Sequence, residues 1–215
     1  RVSVTGAPRV IFGRDTREAV PYLEAALTRG IASEVGSVVS LGVVPTPAVA
    51  YLTRTEGFDL GIVISASHNP FHDNGIKVFS GAGEKFSEAQ ERGIEAIVAD
   101  NSWQVPDGAA VPGADAELTA HYVAHLRQIL DHAGPLAGAT IVVDCAHGAT
   151  TTIAPALFAA LGFDVRTIGA GGGSIAWIDC SIEGVIDAGD HHFVMGRVLE
   201  LQPSEPENDP NPLLF

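Results

Sequence analysis

Cysteine, lysine and long apolar runs are all scarce in this sequence of 215 residues. Its 2 cysteines are too few for a disulfide framework, and each lies in an apolar stretch that is typical of a strand. No apolar run reaches the roughly 20 residues that a membrane helix needs, and no N-terminal signal peptide is visible. These absences predict a reduced, cytoplasmic protein with no membrane partner.

Positive charge is scarce as well. The chain has 12 Lys and Arg residues against 26 Asp and Glu residues, which gives a formal net charge of −14 at pH 7. An acidic surface of this size repels nucleic acid, which is therefore not expected as a partner. The lysines of the chain are Lys77 and Lys85, and they lie close together in the sequence. Lysines concentrated in one segment indicate a local anionic ligand. The oligomeric state does not follow from composition.

Apolar residues make up 46% of the chain and charged residues 18%, which is typical of a folded protein. In the first hundred residues, apolar runs alternate with helical periodicity, which predicts a βαβ-type layer. Either Asp15 or Thr16 is expected to cap the first helix. The predicted strands are 9–13, 38–44, 60–64 and 76–80, and the predicted helices are 18–31, 48–55 and 84–99.

The remainder of the sequence predicts a linker rich in Pro and Gly, further alternation of helix and strand, and a long antiparallel pair of strands. We expect a mixed α/β domain, then the start of a second α/β domain, and finally a β-hairpin. The expected boundaries give residues 1–113, 114–170 and 171–215. The elements predicted after the linker are helices 118–130 and 153–161, and strands 139–144, 164–168, 175–186 and 193–201.

The most informative stretch is the polar segment that follows the predicted strand 60–64. It begins with Ser65-Ala-Ser67-His68-Asn69-Pro70, and Asn74-Gly75 then leads into a strand that carries Lys77. Open α/β sheets place ligands at the carboxyl ends of their strands. A serine hydroxyl and an ammonium group near one loop are suited to holding a phosphoryl group. The alternative for a serine at a strand end is a helix cap or a turn.

This segment, through Asp73-Asn-Gly-Ile-Lys77, resembles the active-site serine loop of the α-D-phosphohexomutases, and most of all their phosphoglucosamine mutase branch. The resemblance implies that Ser67 carries the phosphoryl group and binds Mg²⁺ through a phosphate oxygen. It also implies that Lys77 is a general acid or base, and His68 is a second candidate for proton transfer. The string Gly-Arg14-Asp-Thr-Arg17 is similar to another element of that family. Arg14 and Arg17 are therefore expected to balance phosphoryl charge, the alternative being solvated surface charge.

The resemblance extends over about residues 10–169. It implies interconversion of glucosamine 6-phosphate and glucosamine 1-phosphate through a sugar bisphosphate, with glucose or mannose phosphates as alternative substrates. The family's Asp-Gly-Asp-x-Asp-Arg metal loop does not occur in these 215 residues. We therefore expect a phosphorylated amino sugar as partner, but weak or no turnover by this chain.

Residues 174–215 show a different pattern. Together with Gly189-Asp190-His191, they resemble the C-terminal part of the FMN-dependent flavin reductases, which implies FMN or NAD(P)H as a cofactor there. The alternative is an ordinary hairpin turn. A third pattern, His121, His125 and His132, could place imidazoles on one helix face, but a solvated face is favoured over a metal site.

Overall fold

A computed structural model gives the fold of the chain. It describes residues 6–17, 19–66, 69–70, 72–100, 102, 109–130, 138–170, 175–188 and 191–203. The chain forms two compact units, residues 1–132 and 133–215. Within the described ranges, no helix has both the length and the apolar character that would let it cross a membrane.

The first unit contains a four-stranded mixed sheet. Its strand order is β2-β1-β3-β4, with β1 parallel to β2 and β3, and with β4 antiparallel to β3. This confirms the predicted mixed α/β fold. Its elements are β1 (Arg9–Arg14), α1 (Val20–Ser33), β2 (Ser37–Val43), α2 (Thr46–Thr55), β3 (Leu60–Ile64), β4 (Ile76–Ser80), α3 (Glu88–Val98) and α4 (Ala116–Leu130).

One face of this sheet is covered by α1. Val10 and Phe12 of β1 and Ile62 of β3 form a buried cluster there, and Leu27 and Ile31 of α1 pack against it. The alternation of side chains along each strand places these three strand residues on the same face. Burial of this cluster fixes the register of the two parallel strands, and with it the edge at which both end.

The opposite face lies under α2, at very close range. A Cβ added at Gly61 of β3 would overlap Thr53 Oγ1, and one added at Gly13 of β1 would overlap the side chain of Val49. Both helix residues belong to α2 and are fully buried. These two glycines therefore let the helix approach the two strands that lead to the polar segment.

The start of α1 differs from the prediction. The helix begins at Val20 with Ala19 at its N-cap, and no side chain caps it. The expected cap at Asp15 or Thr16 was wrong, because the Asp15 carboxylate accepts hydrogen bonds from the backbone N–H and Nε of Arg17 and because Thr16 lies three positions before the N-cap residue Ala19. Pro21 has a fixed φ suited to a first turn, which favours a start at this later position.

Helix α4 belongs to the first unit, whereas the sequence predicts a boundary before it, after residue 113. The reason is packing: Tyr122 is 5% exposed, and its ring centroid lies 5.9 Å from that of Tyr51 in α2. At the start of α4, the Asp115 backbone N–H donates to Ser40 O of β2 at 2.8 Å. The three-part division by family resemblance stays a prediction.

The second unit contains another four-stranded sheet, in the order β5-β6-β7-β8. Strand β6 is parallel to β5, and it pairs with β7 at Ile168 and Ile175. The predicted hairpin is present, because β7 and β8 are antiparallel from Ala188 and His191 onward. The elements are β5 (Thr140–Asp144), α5 (Ile153–Ala160), β6 (Asp164–Ile168), β7 (Ile175–Ala188) and β8 (His191–Pro203).

Candidate active site

The polar segment begins where two parallel strands end side by side. Arg14 of β1 is in register with Ile64 of β3, and the Asp15 backbone N–H donates to Ile64 O at 3.1 Å. Beyond β3, the Ser65 backbone N–H donates to Gly75 O at 2.8 Å. The residues after β1 and the segment after β3 therefore lie at one edge of the sheet, as expected for a ligand site in an α/β protein.

The predicted nucleophile Ser67 and its neighbour His68 lie outside the described residues. On either side of them, the Asn69 backbone N–H donates to Ala66 O at 3.2 Å. We use the name serine loop for residues 65–75, which run from the end of β3 to the start of β4. The roles of Ser67 and His68 stay predictions.

Arg17 is tied to the serine loop by several directed hydrogen bonds. Its Nη1 donates to Pro70 O at 2.5 Å and to Asp73 O at 3.0 Å, and its Nη2 donates to Asn69 O at 3.0 Å. Its Nε donates to Asp15 Oδ2 at 2.9 Å, in an ion pair whose side chains are only 11% and 12% exposed. The guanidinium thus links the residues after β1 to the loop after β3.

Arg14 faces a buried carboxylate. Its Nε lies 3.2 Å from Glu24 Oε2 of α1, although this nitrogen is buried and has no partner aligned for a hydrogen bond. The contact is therefore an ion pair without hydrogen-bond geometry. Glu24 is 5% exposed, and its other carboxylate oxygen accepts a hydrogen bond of 2.7 Å from Ser40 Oγ. The structure thus gives Arg14 a partner inside the first unit.

Lys77 lies on β4, directly opposite Val63 of β3. Its side chain is partly exposed. Within the part of the chain that the structure describes, the Lys77 ammonium group has neither a hydrogen bond nor an ion pair. It therefore differs from Arg14 and Arg17, whose guanidinium groups each contact a carboxylate.

Several residues of this arrangement were not foreseen as site residues. Asp15 was expected only as a helix cap, and Glu24 was not singled out. An acidic residue two positions before an arginine is a signal that could have suggested the Asp15–Arg17 pair. The carbonyl acceptors in the serine loop carry no such signal, because every residue type has the same backbone oxygen.

The histidines of α4 form no metal centre in the described residues. His121 Nδ1 lies 3.2 Å from Glu56 Oε1, and the His125 ring is stacked on Tyr51 with centroids 4.0 Å apart. His132 lies outside the described ranges. In those ranges, no group of three or more His, Cys, Asp or Glu side chains could hold a metal ion.

In the second unit, the polar exit of β5 is a tightly bonded turn. Ala146 and His147 both have positive φ, and the Ala146 backbone N–H donates to Asp144 Oδ1 at 2.8 Å. Cys145 is buried, and this burial raises the pKa of its thiol, an effect that a hydrogen bond with Thr150 partly offsets. Within this turn, Ala146 and His147 are exposed, whereas Cys145 points into the core of its unit.

The residues predicted to contact flavin or nicotinamide fall in the sequence where β7 ends and β8 begins. Gly189 and Asp190 are outside the described residues, and only the backbone of His191, at the start of β8, is described. The predicted FMN or NAD(P)H site therefore stays a prediction.

Comparison with known proteins gives a consistent result for the first unit. Residues 2–105 match the family described as "Phosphoglucomutase/phosphomannomutase, alpha/beta/alpha domain I". Phosphoglucosamine mutases of Delftia acidovorans and Moorella thermoacetica are 47% and 46% identical over 165 and 162 residues. These matches cover 75% and 74% of this chain and 36% of each relative. The chain thus spans about a third of the length of the curated relatives it matches.

A solved structure shows the same likeness in three dimensions. The phosphoglucomutase/phosphomannomutase family protein of Burkholderia thailandensis aligns with a TM-score of 0.61 and 27% identity. The alignment covers 77% of this chain and 36% of that one. These matches confirm the phosphohexomutase resemblance, whereas they give no support to the flavin reductase resemblance of residues 174–215.

Proposed function

Because residues 2–105 belong to the phosphohexomutase family as its domain I, we propose that this chain carries the phosphoserine half of a phosphoglucosamine mutase site. The observation that carries the proposal is the anchoring of the serine loop at the edge where β1 and β3 end. Arg17 bonds to three of its carbonyl oxygens, and Gly75 O pairs with the Ser65 backbone. The loop that contains Ser67 is thus supported from two sides.

In the proposed reaction, Ser67 Oγ attacks a phosphorus atom of a hexosamine 1,6-bisphosphate. The new Ser67 O–P bond forms as the sugar O–P bond breaks, and the serine proton goes to the departing sugar oxygen. In the reverse direction the phosphoserine donates its phosphoryl group to the 1-hydroxyl of glucosamine 6-phosphate, which gives the 1,6-bisphosphate. Transfer of the 6-phosphoryl group of that bisphosphate back to Ser67 then releases glucosamine 1-phosphate. A serine hydroxyl is a weak nucleophile, so His68 and Lys77 are proposed to transfer its proton.

Phosphoryl transfer also needs positive charge near the phosphoryl oxygens. Arg14 and Arg17 each face a carboxylate. Away from each pair, the negative charge of the carboxylate therefore cancels most of the electrostatic field of the guanidinium. Lys77 has no ion-pair partner among the described residues, and its charge is not offset in the same way. We therefore propose that Lys77 provides most of the uncompensated positive charge at this site, with smaller contributions from Arg14 and Arg17.

Magnesium does not fit the described residues of this chain as a bound ion. Mg²⁺ prefers carboxylate oxygens, and no cluster of three or more His, Cys, Asp or Glu side chains occurs among them. The expectation that a Ser67 phosphate oxygen binds Mg²⁺ stays a prediction from the family resemblance.

The proposal predicts phosphorylation of the 215-residue chain without sustained turnover. Incubation with glucosamine 1,6-bisphosphate labelled at phosphorus should transfer about one phosphoryl group per chain and release a monophosphate. A coupled assay with glucosamine 6-phosphate should detect little or no isomerisation. Absence of label would overturn the phosphoserine proposal, and robust isomerisation would overturn the expectation of weak turnover.

A further inference from the structure

The geometry points to Arg17 as a positioning residue that fixes the serine loop through its hydrogen-bonding fork, more than as a cation for the phosphoryl group. The inference deepens the proposed function and rests on it where it concerns Ser67. The contacts themselves do not depend on that function: the guanidinium holds Asn69, Pro70 and Asp73 by their carbonyl oxygens.

The number of directed bonds is the first reason. A guanidinium has five N–H donors in a rigid planar arrangement. Four hydrogen bonds of the Arg17 guanidinium go to Asp15 Oδ2 and to the carbonyls of Asn69, Pro70 and Asp73, at 2.5 to 3.0 Å. Most of its N–H groups therefore donate to acceptors of the protein in fixed directions.

Charge compensation is the second reason. The Arg17 and Asp15 side chains are 11% and 12% exposed, so their ion pair lies largely out of water. A compact pair of opposite charges has no net charge, and its field falls off faster with distance than that of a single ion. The pair therefore attracts an anion only weakly compared with Lys77, which has no ion-pair partner among the described residues.

The third reason is that the contacts lead from the end of β3 through Asp15 and Arg17 to the loop that follows β3. The Asp15 backbone N–H donates to Ile64 O, the last residue of β3. The Asp15 carboxylate binds Arg17, whose guanidinium reaches the loop that leaves that same strand. These contacts fix the serine loop relative to β3, the strand that it follows. Misplacement of a reacting group by about 1 Å can cost about 100-fold in rate.

Lysine is the decisive replacement, because it keeps the charge of Arg17 but not the planar fork. In Arg17→Lys, we expect backbone amide exchange across residues 65–76 to rise at least about 10-fold, because the carbonyl anchors are lost. The maximal rate of Ser67 phosphorylation by glucosamine 1,6-bisphosphate should fall at least about 10-fold. The half-saturating donor concentration should change by less than about 3-fold, since donor binding is not what the fork supplies.

The chain offers a matched control at the other end of β1. Arg9 Nη1 also donates to backbone carbonyls, those of Glu56 and Gly57, at 3.4 and 3.3 Å, but at an exposed position. Arg9→Lys makes the same chemical change, and both readouts should stay within about 2-fold of the parent chain. If Arg17→Lys does not fold by circular dichroism, Arg17→Gln is the second variant. Glutamine lacks the charge as well as the fork, so the rise in amide exchange across residues 65–76 then decides whether Arg17 holds the loop.

Two outcomes would overturn the inference. Unchanged exchange and an unchanged maximal rate in the lysine variant would show that charge alone suffices. A raised half-saturating concentration with an unchanged maximal rate would make Arg17 a ligand of the donor phosphate. If the parent chain takes up no phosphoryl group, the proposed function fails, and the exchange comparison alone still decides whether Arg17 holds the loop.

Discussion

Ser40 Oγ donates a hydrogen bond of 2.7 Å to Glu24 Oε1, and this bond joins β2 to α1 inside the first unit. The second carboxylate oxygen of Glu24 lies 3.2 Å from Arg14 Nε. A buried carboxylate with two partners is costly to remove, because Ser40 then loses its hydrogen-bond acceptor and Arg14 its counter-charge. The three side chains therefore contribute to stability as a unit.

Replacement of Glu24 by Ala should destabilise the first unit. Because the Arg14 side chain is 28% exposed, water screens part of the effect, and we expect a loss of about 2 kcal/mol. Urea unfolding followed by circular dichroism measures it. In the Arg14→Met background the same substitution should cost at least about 1 kcal/mol less. Equal costs in the two backgrounds would show that Glu24 and Arg14 are not coupled.

Gly61 and Gly93 make a matched pair of glycines. A Cβ at Gly61 would overlap Thr53 Oγ1, whereas one at Gly93 of α3 meets nothing within 4 Å. Gly61→Ala should destabilise by about 1–3 kcal/mol through overpacking. Gly93→Ala should stabilise by up to about 1 kcal/mol, because alanine favours a helix interior. Urea midpoints that shift in the same direction for both variants would contradict this account.

Much of the fold was predictable from the sequence, and for a clear reason. The bounds of β3, β4 and β6 agree with the predictions to the residue. Polar or glycine residues flank β3 and β4 on both sides, and β6 begins at Asp164 and is followed by Gly169. The start of α1 was not predictable from capping preferences, because Asp15 pairs with Arg17. The affiliation of α4 depends on the burial of Tyr122, which a linker composition cannot reveal.

The position of the serine loop at a strand end was predictable, but the bonds that hold it were not. The serine loop could be placed at a strand end because polar residues follow an apolar run abruptly. The bonds from Arg17 to the carbonyl oxygens of Asn69, Pro70 and Asp73 could not be foreseen, since backbone acceptors leave no mark in sequence. The sequence also does not show that Glu24 is the partner of Arg14, because acidic residues are common in helices.

The place of α4 in the first unit can be tested by truncation. A chain that ends at residue 132 keeps Tyr122, which is 5% exposed, and a chain that ends at residue 113 loses it. The shorter chain should be less stable by about 3 kcal/mol in urea, the usual cost of removing a buried aromatic side chain. Tyr122→Ala in the full chain should reproduce most of this loss. Equal stability of the two truncated chains would place the boundary before α4.

Cys145 should resist alkylation in the folded protein, since it is 3% exposed and burial raises the pKa of its thiol. Its contribution to stability is complete below the unfolded thiol pKa of about 8.5 and is lost as pH rises through the raised folded value. Iodoacetamide labelling, read by mass spectrometry of the peptide that contains Cys145, measures protection, and labelling in urea is the control. Equal labelling rates with and without urea at pH 8 would contradict the burial argument.

The central claim is that Ser67 accepts the phosphoryl group, while Ser65 serves the loop's structure through its backbone bond to Gly75 O. The most direct measurement is mass spectrometry of the serine-loop peptide after incubation with glucosamine 1,6-bisphosphate. We predict phosphate on Ser67, its loss in Ser67→Ala, and its retention in Ser65→Ala. Phosphate located mainly on Ser65, or undiminished labelling of Ser67→Ala, would contradict the account.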